Sequence, residues 1–215
     1  MVSHGLIVRL EARHSRETQL EEFLVGALAA VQREPATSAW FALRFGRGEY
    51  GIFDAFLNEA GRQAHLAGAV AAQLMAHGKE LLEREPRIEK VGILASKMPV
   101  EGLAQPVTRG LLLAFKAHKG HEPQVRQFLR DAEPLVQAEP GTLAWFALEF
   151  DSGEYGIFDV FPDNGARFAH LTGQVPRELT KHALSLLGGL PDIDMLQVLA
   201  AHFAARASDV GLGVD

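Results

Sequence analysis

Glu34 to Phe56 reads EPATSAWFALRFGRGEYGIFDAF, and Glu139 to Phe161 reads EPGTLAWFALEFDSGEYGIFDVF. Seventeen of these 23 positions are identical, and a shift of 105 residues lays one stretch on the other without a gap. The same shift carries Gly5 onto Gly110, Phe23 onto Phe128, Arg62 onto Arg167, His65 onto His170, Gly68 onto Gly173, His77 onto His182 and Pro86 onto Pro191. Two copies are too few for a solenoid, which needs at least about three stacked repeats to bury a core. The chain reads as one α+β unit of roughly 100 residues, present twice.

Inside the quoted stretch, Thr37 to Phe45 and Glu49 to Phe56 are aromatic-rich strands around the turn Gly46-Arg47-Gly48, the pattern of a hairpin. Upstream, Leu6, Val8, Leu10 and Ala12 alternate with Ile7, Arg9, Glu11 and Arg13, which predicts a strand with one strongly buried face. Leu20, Phe23, Leu24, Ala27, Leu28 and Val31 follow helical spacing from about Ser15 to Arg33. Val125, Phe128, Leu129, Ala132 and Val136 do the same in the second copy, where Pro134 predicts a kink or restart. Downstream, Asn58 to Gly68 reads as a helix with a polar cap and a terminal glycine. Val70 to Leu82 continues helically, and Arg87 to Lys97 is a closing strand. The order β-α-β-β-α-β is a ferredoxin-like unit. Expected boundaries are 1–97 for the first unit, 98–107 for a linker, 108–205 for the second unit and 206–215 for a loose tail.

The two copies differ in charge at matching strand positions. Glu11 becomes Lys116, and Arg44 becomes Glu149. Like charges near a two-fold axis repel, so these reversals predict copies packed face to face with complementary signs.

Composition narrows the function classes. No run approaches the roughly 20 apolar residues of a membrane span, and Met1 leads into a strand pattern without a leader, so a cytoplasmic protein is expected. Cysteine is absent, which removes disulfides and thiolate chemistry. A formal charge of −6 with no basic run argues against nucleic acid as a partner. No clustered spacing of His and carboxylates suggests a dedicated metal site.

The element order, the strand ending GEYGIFDAF with the helix GRQAHLAG, and their second-copy forms GEYGIFDVF and GARFAHLTG resemble the antibiotic biosynthesis monooxygenase family. The resemblance spans about Gly5 to Lys97 and again Gly110 to His202. It implies an α+β barrel closed from two four-stranded sheets, here an intramolecular pseudo-dimer, with a pocket in each unit between sheet and helices. It also implies a monooxygenase that needs no cofactor, taking O2 and an aromatic, phenolic or quinol-like small molecule. A non-catalytic binding protein and a haem-binding or haem-degrading protein are the alternatives. Haem degradation is disfavoured, because neither first strand holds the asparagine that such relatives use, and His65 and His170 stand near the position of their tryptophan.

Such chemistry needs an apolar aromatic cavity and a group that removes a phenolic proton. His65 and His170 titrate in the right range for a base. Asp54 and Asp159 sit in otherwise apolar strands, where an ionised carboxylate is costly unless paired. Those four are the candidate catalytic residues. Trp40, Tyr50 and Phe53, with Trp145, Tyr155 and Phe158, are the candidate substrate walls. Arg62 and Arg167 read as surface residues or helix tethers rather than anion binders. His77 and His182 share a helical face with apolar residues and read as core or interface.

Overall fold

The expected hairpin forms, and the rest of each copy is built around it. A computed structural model describes residues 1–99 and 105–204, without the side chains of Val175, Leu179, Thr180, His182, Ala183 and Leu184. The middle of the expected linker, the expected tail and the reading of His182 lie outside the described residues. The first copy runs β1 (His4–Glu11), α1 (Glu17–Val31), β2 (Thr37–Gly46), β3 (Glu49–Phe56), α2 (Glu59–Leu66), α3 (Ala69–Leu81) and β4 (Arg87–Lys97). The second runs β5 (Arg109–Lys116), α4 (Glu122–Asp131), α5 (Glu133–Gln137), β6 (Ala144–Phe150), β7 (Glu154–Phe161), α6 (Asn164–Leu171), α7 (Gln174–Leu186) and β8 (Asp192–Phe203). Helices α4 and α5 together match α1; the restart carries Pro134 in the first turn of α5, where its missing N–H costs nothing.

All eight strands close into one barrel in the order β1-β3-β2-β8-β5-β7-β6-β4. Every neighbouring pair is antiparallel. Two seams join the copies. Last strand β8 pairs with β2 from Ala39↔Phe203 to Arg44↔Gln197, and last strand β4 pairs with β6 from Val91↔Phe150 to Lys97↔Trp145. Closure leaves no free sheet edge, which would otherwise invite pairing with another chain.

Alternation then sorts the side chains into two layers. Inside the barrel, Phe41 and Phe53 meet their counterparts Phe146 and Phe158, with Phe53 and Phe158 ring centroids 4.4 Å apart. Outside, each sheet carries its own helices: Val8, Leu10, Trp40, Ala42, Tyr50 and Ile52 pack under Leu20, Leu24, Ala27, Val70 and Leu74 in the first copy. Each buried phenylalanine or leucine contributes roughly 1.5–3 kcal/mol, so neither layer is dispensable.

Charge reversal works differently from the sequence expectation. Arg44 shares the outward face with Trp40 and Ala42 and pairs with Glu21 of α1 at 3.2 Å. In the second copy Glu149 pairs with Arg126 of α4 at 2.6 Å. Position 126 is position 21 shifted by 105, so both partners reversed sign together. Glu11 and Lys116 are likewise paired locally, with Arg84 and Glu154. Compensation is therefore within each copy. A pair that does bridge the copies is Arg9 with Asp194, 2.9 Å apart at the barrel mouth, with the guanidinium stacked 3.7 Å over Phe45.

Arg44→Glu should cost about 0.5–1 kcal/mol in urea unfolding, the scale of a half-exposed pair. Adding Glu21→Arg should recover most of that loss, because the second copy already uses the reversed polarity. A double variant no more stable than the single would contradict the local pairing.

Candidate functional site

Asp54 stands on the outward face of β3, flanked in register by Leu6 of β1 and Trp40 of β2. It is 1 % exposed. Helix α2 lies over it, started by Asn58, whose side chain accepts from the Gly61 N–H. Arg62 fastens this helix to the sheet by donating to the carbonyls of Gly5 and Val91, 3.2 Å each. That tether matches the sequence reading, and Arg167 repeats it on Gly110 and Leu196 at 3.1 Å.

With α2 fixed, His65 is 7 % exposed and its ring bridges two carboxylates. Nδ1 lies 2.6 Å from Glu34 Oε2, and Nε2 lies 3.6 Å from Asp54 Oδ2. The Thr37 hydroxyl donates to Glu34 at 3.3 Å and sits 3.3 Å from Nδ1. The second copy repeats the array more tightly. His170 Nδ1 is 2.5 Å from Glu139, Nε2 is 3.2 Å from Asp159, and the Thr142 hydroxyl donates to Glu139 at 2.9 Å. Phe56 and Phe161 pack against the imidazoles, at 5.4 Å between centroids in each copy.

Of the candidates read from sequence, Asp54, His65 and Trp40 come together, as do Asp159, His170 and Trp145. Tyr50 and Tyr155 share their face but point to another partner: Tyr50 donates to Glu21 at 2.7 Å, and Tyr155 to Glu149 at 3.4 Å. Phe53 and Phe158 do not join the site. Each precedes its aspartate by one residue and so faces the barrel interior. His77 is exposed and lies against Phe23, 5.4 Å between rings, so it is not core. Glu34 and Thr37 were missed, although both lie in the shared run that opens the hairpin; Gly68 was read only as the end of the helix. A Cβ on Gly68 would come within 2.9 Å of Glu34 Oε1, so glycine leaves room for that carboxylate; Gly173 does the same for Glu139.

Burial pushes the Asp54 carboxyl up to about 7, with Glu34 adding to the rise and His65 opposing it. Asp159 is also raised by burial, held back by His170. Burial alone would lower His170, but Asp159 and Glu139 together carry it to about 9. Between its two carboxylates His170 favours the doubly protonated form, which donates from both nitrogens. Acceptor capacity remains on the aspartates: Oδ1 of Asp54 and of Asp159 is buried without a hydrogen-bond partner while each Oδ2 faces the imidazole Nε2, and the indole N–H groups of Trp40 and Trp145 are buried unpaired. Such orphans are rare in a folded interior and leave an unmet demand for a polar partner.

Among the described residues no group of three or more His, Asp or Glu side chains has metal-binding geometry. No helix among them is long and apolar enough to cross a membrane. No protein-family model and no curated protein matches the chain. Solved structures do. A candidate monooxygenase of Fusobacterium nucleatum superposes with a TM-score of 0.81 at 13% identity, covering 95% of both chains. Another candidate monooxygenase, from Lactobacillus acidophilus, gives 0.78 at 10% identity, over 95% of this chain and 98% of its own. A Listeria monocytogenes ferredoxin-fold protein related to antibiotic biosynthesis monooxygenases gives 0.55 at 10%, over 92% and 95%. The chain has the fold of the antibiotic biosynthesis monooxygenase-like α+β barrels. This α+β barrel carries its array on the outer, helix-covered face of each sheet.

Stability should fall as pH rises. The folded pKa of Asp54, about 7, lies above its ordinary 3.8, and that of His170, about 9, lies above 6.5. Each contributes stability that is complete below the ordinary value and lost as pH climbs through the folded one. Melting followed by circular dichroism should show a declining Tm from pH 4 to 9, and His170→Gln should flatten the part above pH 6.5. A Tm that rises across this range would contradict the assignment.

Proposed function

We propose that the chain is a monooxygenase that uses O2 and a phenolic or quinol-like small molecule, without a bound cofactor. The observation that carries this reading is the pair of Asp–His–Glu arrays, each with an acceptor carboxylate beside an unpaired indole N–H in an apolar layer. Support also comes from the fold shared with the two candidate monooxygenases.

Asp54 and Asp159, rather than the histidines, take the part of proton acceptor in this scheme. A carboxylate whose pKa lies near 7 matches a phenolic proton better than an ordinary one. His65 or His170, held by its glutamate, orients the aspartate and stabilises its ionised form. Removing the proton from a hydroquinone leaves an electron-rich phenolate whose ring carbon bonds to O2. The peroxide adduct then loses water, so one oxygen atom stays on the ring as a hydroxyquinone and the other leaves as water. Trp40 or Trp145 supplies an N–H to the developing oxyanion. Substrate reaches the aspartate by displacing the α2–α3 or α6–α7 layer.

A second reading is favoured by that same closed state: a protein that binds a small aromatic molecule in the layer without turning it over. Oxygen uptake with a panel of hydroquinones separates the two. Asp54→Asn with Asp159→Asn should lower the rate about 100-fold or more, while each single variant keeps one working array. Uptake unchanged in the double variant would remove the aspartates from the mechanism. No uptake by the parent with any substrate would leave the binding reading.

A further inference from the structure

The barrel's two seams are equivalent in backbone but differ in charge. Across β2, β8 and β5 the register aligns Arg44 with Gln197 and Gln197 with Arg109. The matching row across β6, β4 and β1 is Glu149, Gly92 and His4. Neighbouring strands lie about 4.8 Å apart, so Arg44 and Arg109 face outward roughly 10 Å from each other. Arg47 from the β2–β3 turn and Arg167 from α6 join them around a cavity of about 440 Å³, together with Phe45, Asn164 and Met195.

One substitution explains why this cleft is out of balance. In the first copy Glu59 takes Arg62 into an ion pair and also lies 3.7 Å from His4 and 3.9 Å from Lys90. Its counterpart is Asn164, and the counterpart of His4 is Arg109. Asn164 Oδ1 accepts from Arg109 at 2.9 Å and from Arg167 at 3.0 Å, so two guanidiniums share an uncharged oxygen. Burial, and then the charge of Arg109, push the Arg167 guanidinium below its usual value. Of the nearby acids, Asp194 is engaged with Arg9 and Asp163 with the Ala166 N–H that starts α6; Glu21 pairs with the cleft's own Arg44, so the uncompensated guanidiniums are those of Arg109 and Arg167.

We propose that this cleft between the copies binds one oxyanion, the carboxylate or phosphate group of a small molecule, and that the pseudo-equivalent cleft does not. The ligand supplies the charge that Glu59 supplies in the first copy. Arginine forks present paired donors to a planar carboxylate or a phosphate, and Phe45 and Met195 offer an apolar wall for whatever the anion is attached to. The site lies at a seam and uses none of the array's Asp, His, Glu or Trp side chains, although Arg167 also tethers the helix that carries His170.

Calorimetric titration of the full chain with sodium phosphate, and separately with sodium succinate, tests this at constant ionic strength set with chloride. Saturable binding of at least one anion, at one site per chain, is expected; the anion that binds identifies the ligand as phosphate-bearing or carboxylate-bearing. Asn164→Glu installs the first copy's carboxylate and should weaken binding about tenfold or more, without loss of folding because Glu59 holds the same helix position. Arg109→His, again the first copy's residue, should weaken it as well. No saturable binding of either anion, two sites per chain, or affinity unchanged in both variants would overturn the proposal.

Discussion

Everything in this molecule depends on the edge-to-edge pairing of the closing strand of each copy with the hairpin of the other. Strand β4 stays paired with β1 along one edge and offers the other to β6, and β8 does the same between β5 and β2. Each copy alone would present a four-stranded sheet with two open edges and an inner face of phenylalanine and leucine, an arrangement prone to aggregate. Joined, the edges vanish and the inner faces become a shared core in which Phe41, Phe53, Phe146 and Phe158 pack on one another. With the inner faces committed to each other, only the outer faces remain to carry chemistry.

That commitment explains the buried array. Asp54 must face outward because Phe53 faces inward, and outward means beneath α2. A buried carboxylate on a strand is costly by itself. Here the cost is offset by His65, which in turn answers to Glu34, and the whole group is held in place by the Arg62 tether to two strand carbonyls. The array is thus a small charge network whose members cannot be removed singly without leaving a buried neighbour unpaired. Its second version is tighter, and there Asp159 and Glu139 together strengthen the hold of His170 on its proton.

Between the copies, divergence follows a rule: partners change together where the pair is local, and balance is abandoned only at a seam. Glu21 with Arg44 and Arg126 with Glu149 are the same contact with the signs exchanged, each still offering a carboxylate to the adjacent tyrosine hydroxyl. Where Arg109 and Arg167 meet Asn164, on the β5 side of the β2–β8–β5 seam, no such compensation occurred. Asn164 stands where a carboxylate would neutralise Arg167, and the surplus positive charge is exposed to solvent and ligands.

Much of this fold was legible in the residues themselves. The gapless shift of 105, the alternation of Leu6 to Ala12 and the hairpin around Gly46 to Gly48 each rest on local periodicity and turn chemistry, which act within a few residues and so appear in sequence. Asp54, His65 and Trp40 could be singled out because a polar or aromatic residue in a patterned strand or helix is conspicuous. Which of them meet could not. Phe53 and Asp54 are adjacent in the chain yet lie on opposite faces, and only the barrel's closure shows that the phenylalanine's face is the filled interior. Glu34 and Thr37 looked like the start of a hairpin, and their contact with His65 spans 31 and 28 residues. The sign change at Arg44 was visible, but its partner at Glu21 is set by how α1 lies across β2. Periodicity determines which elements form; the meeting of side chains distant in sequence is decided by packing, where burial and charge balance act through space.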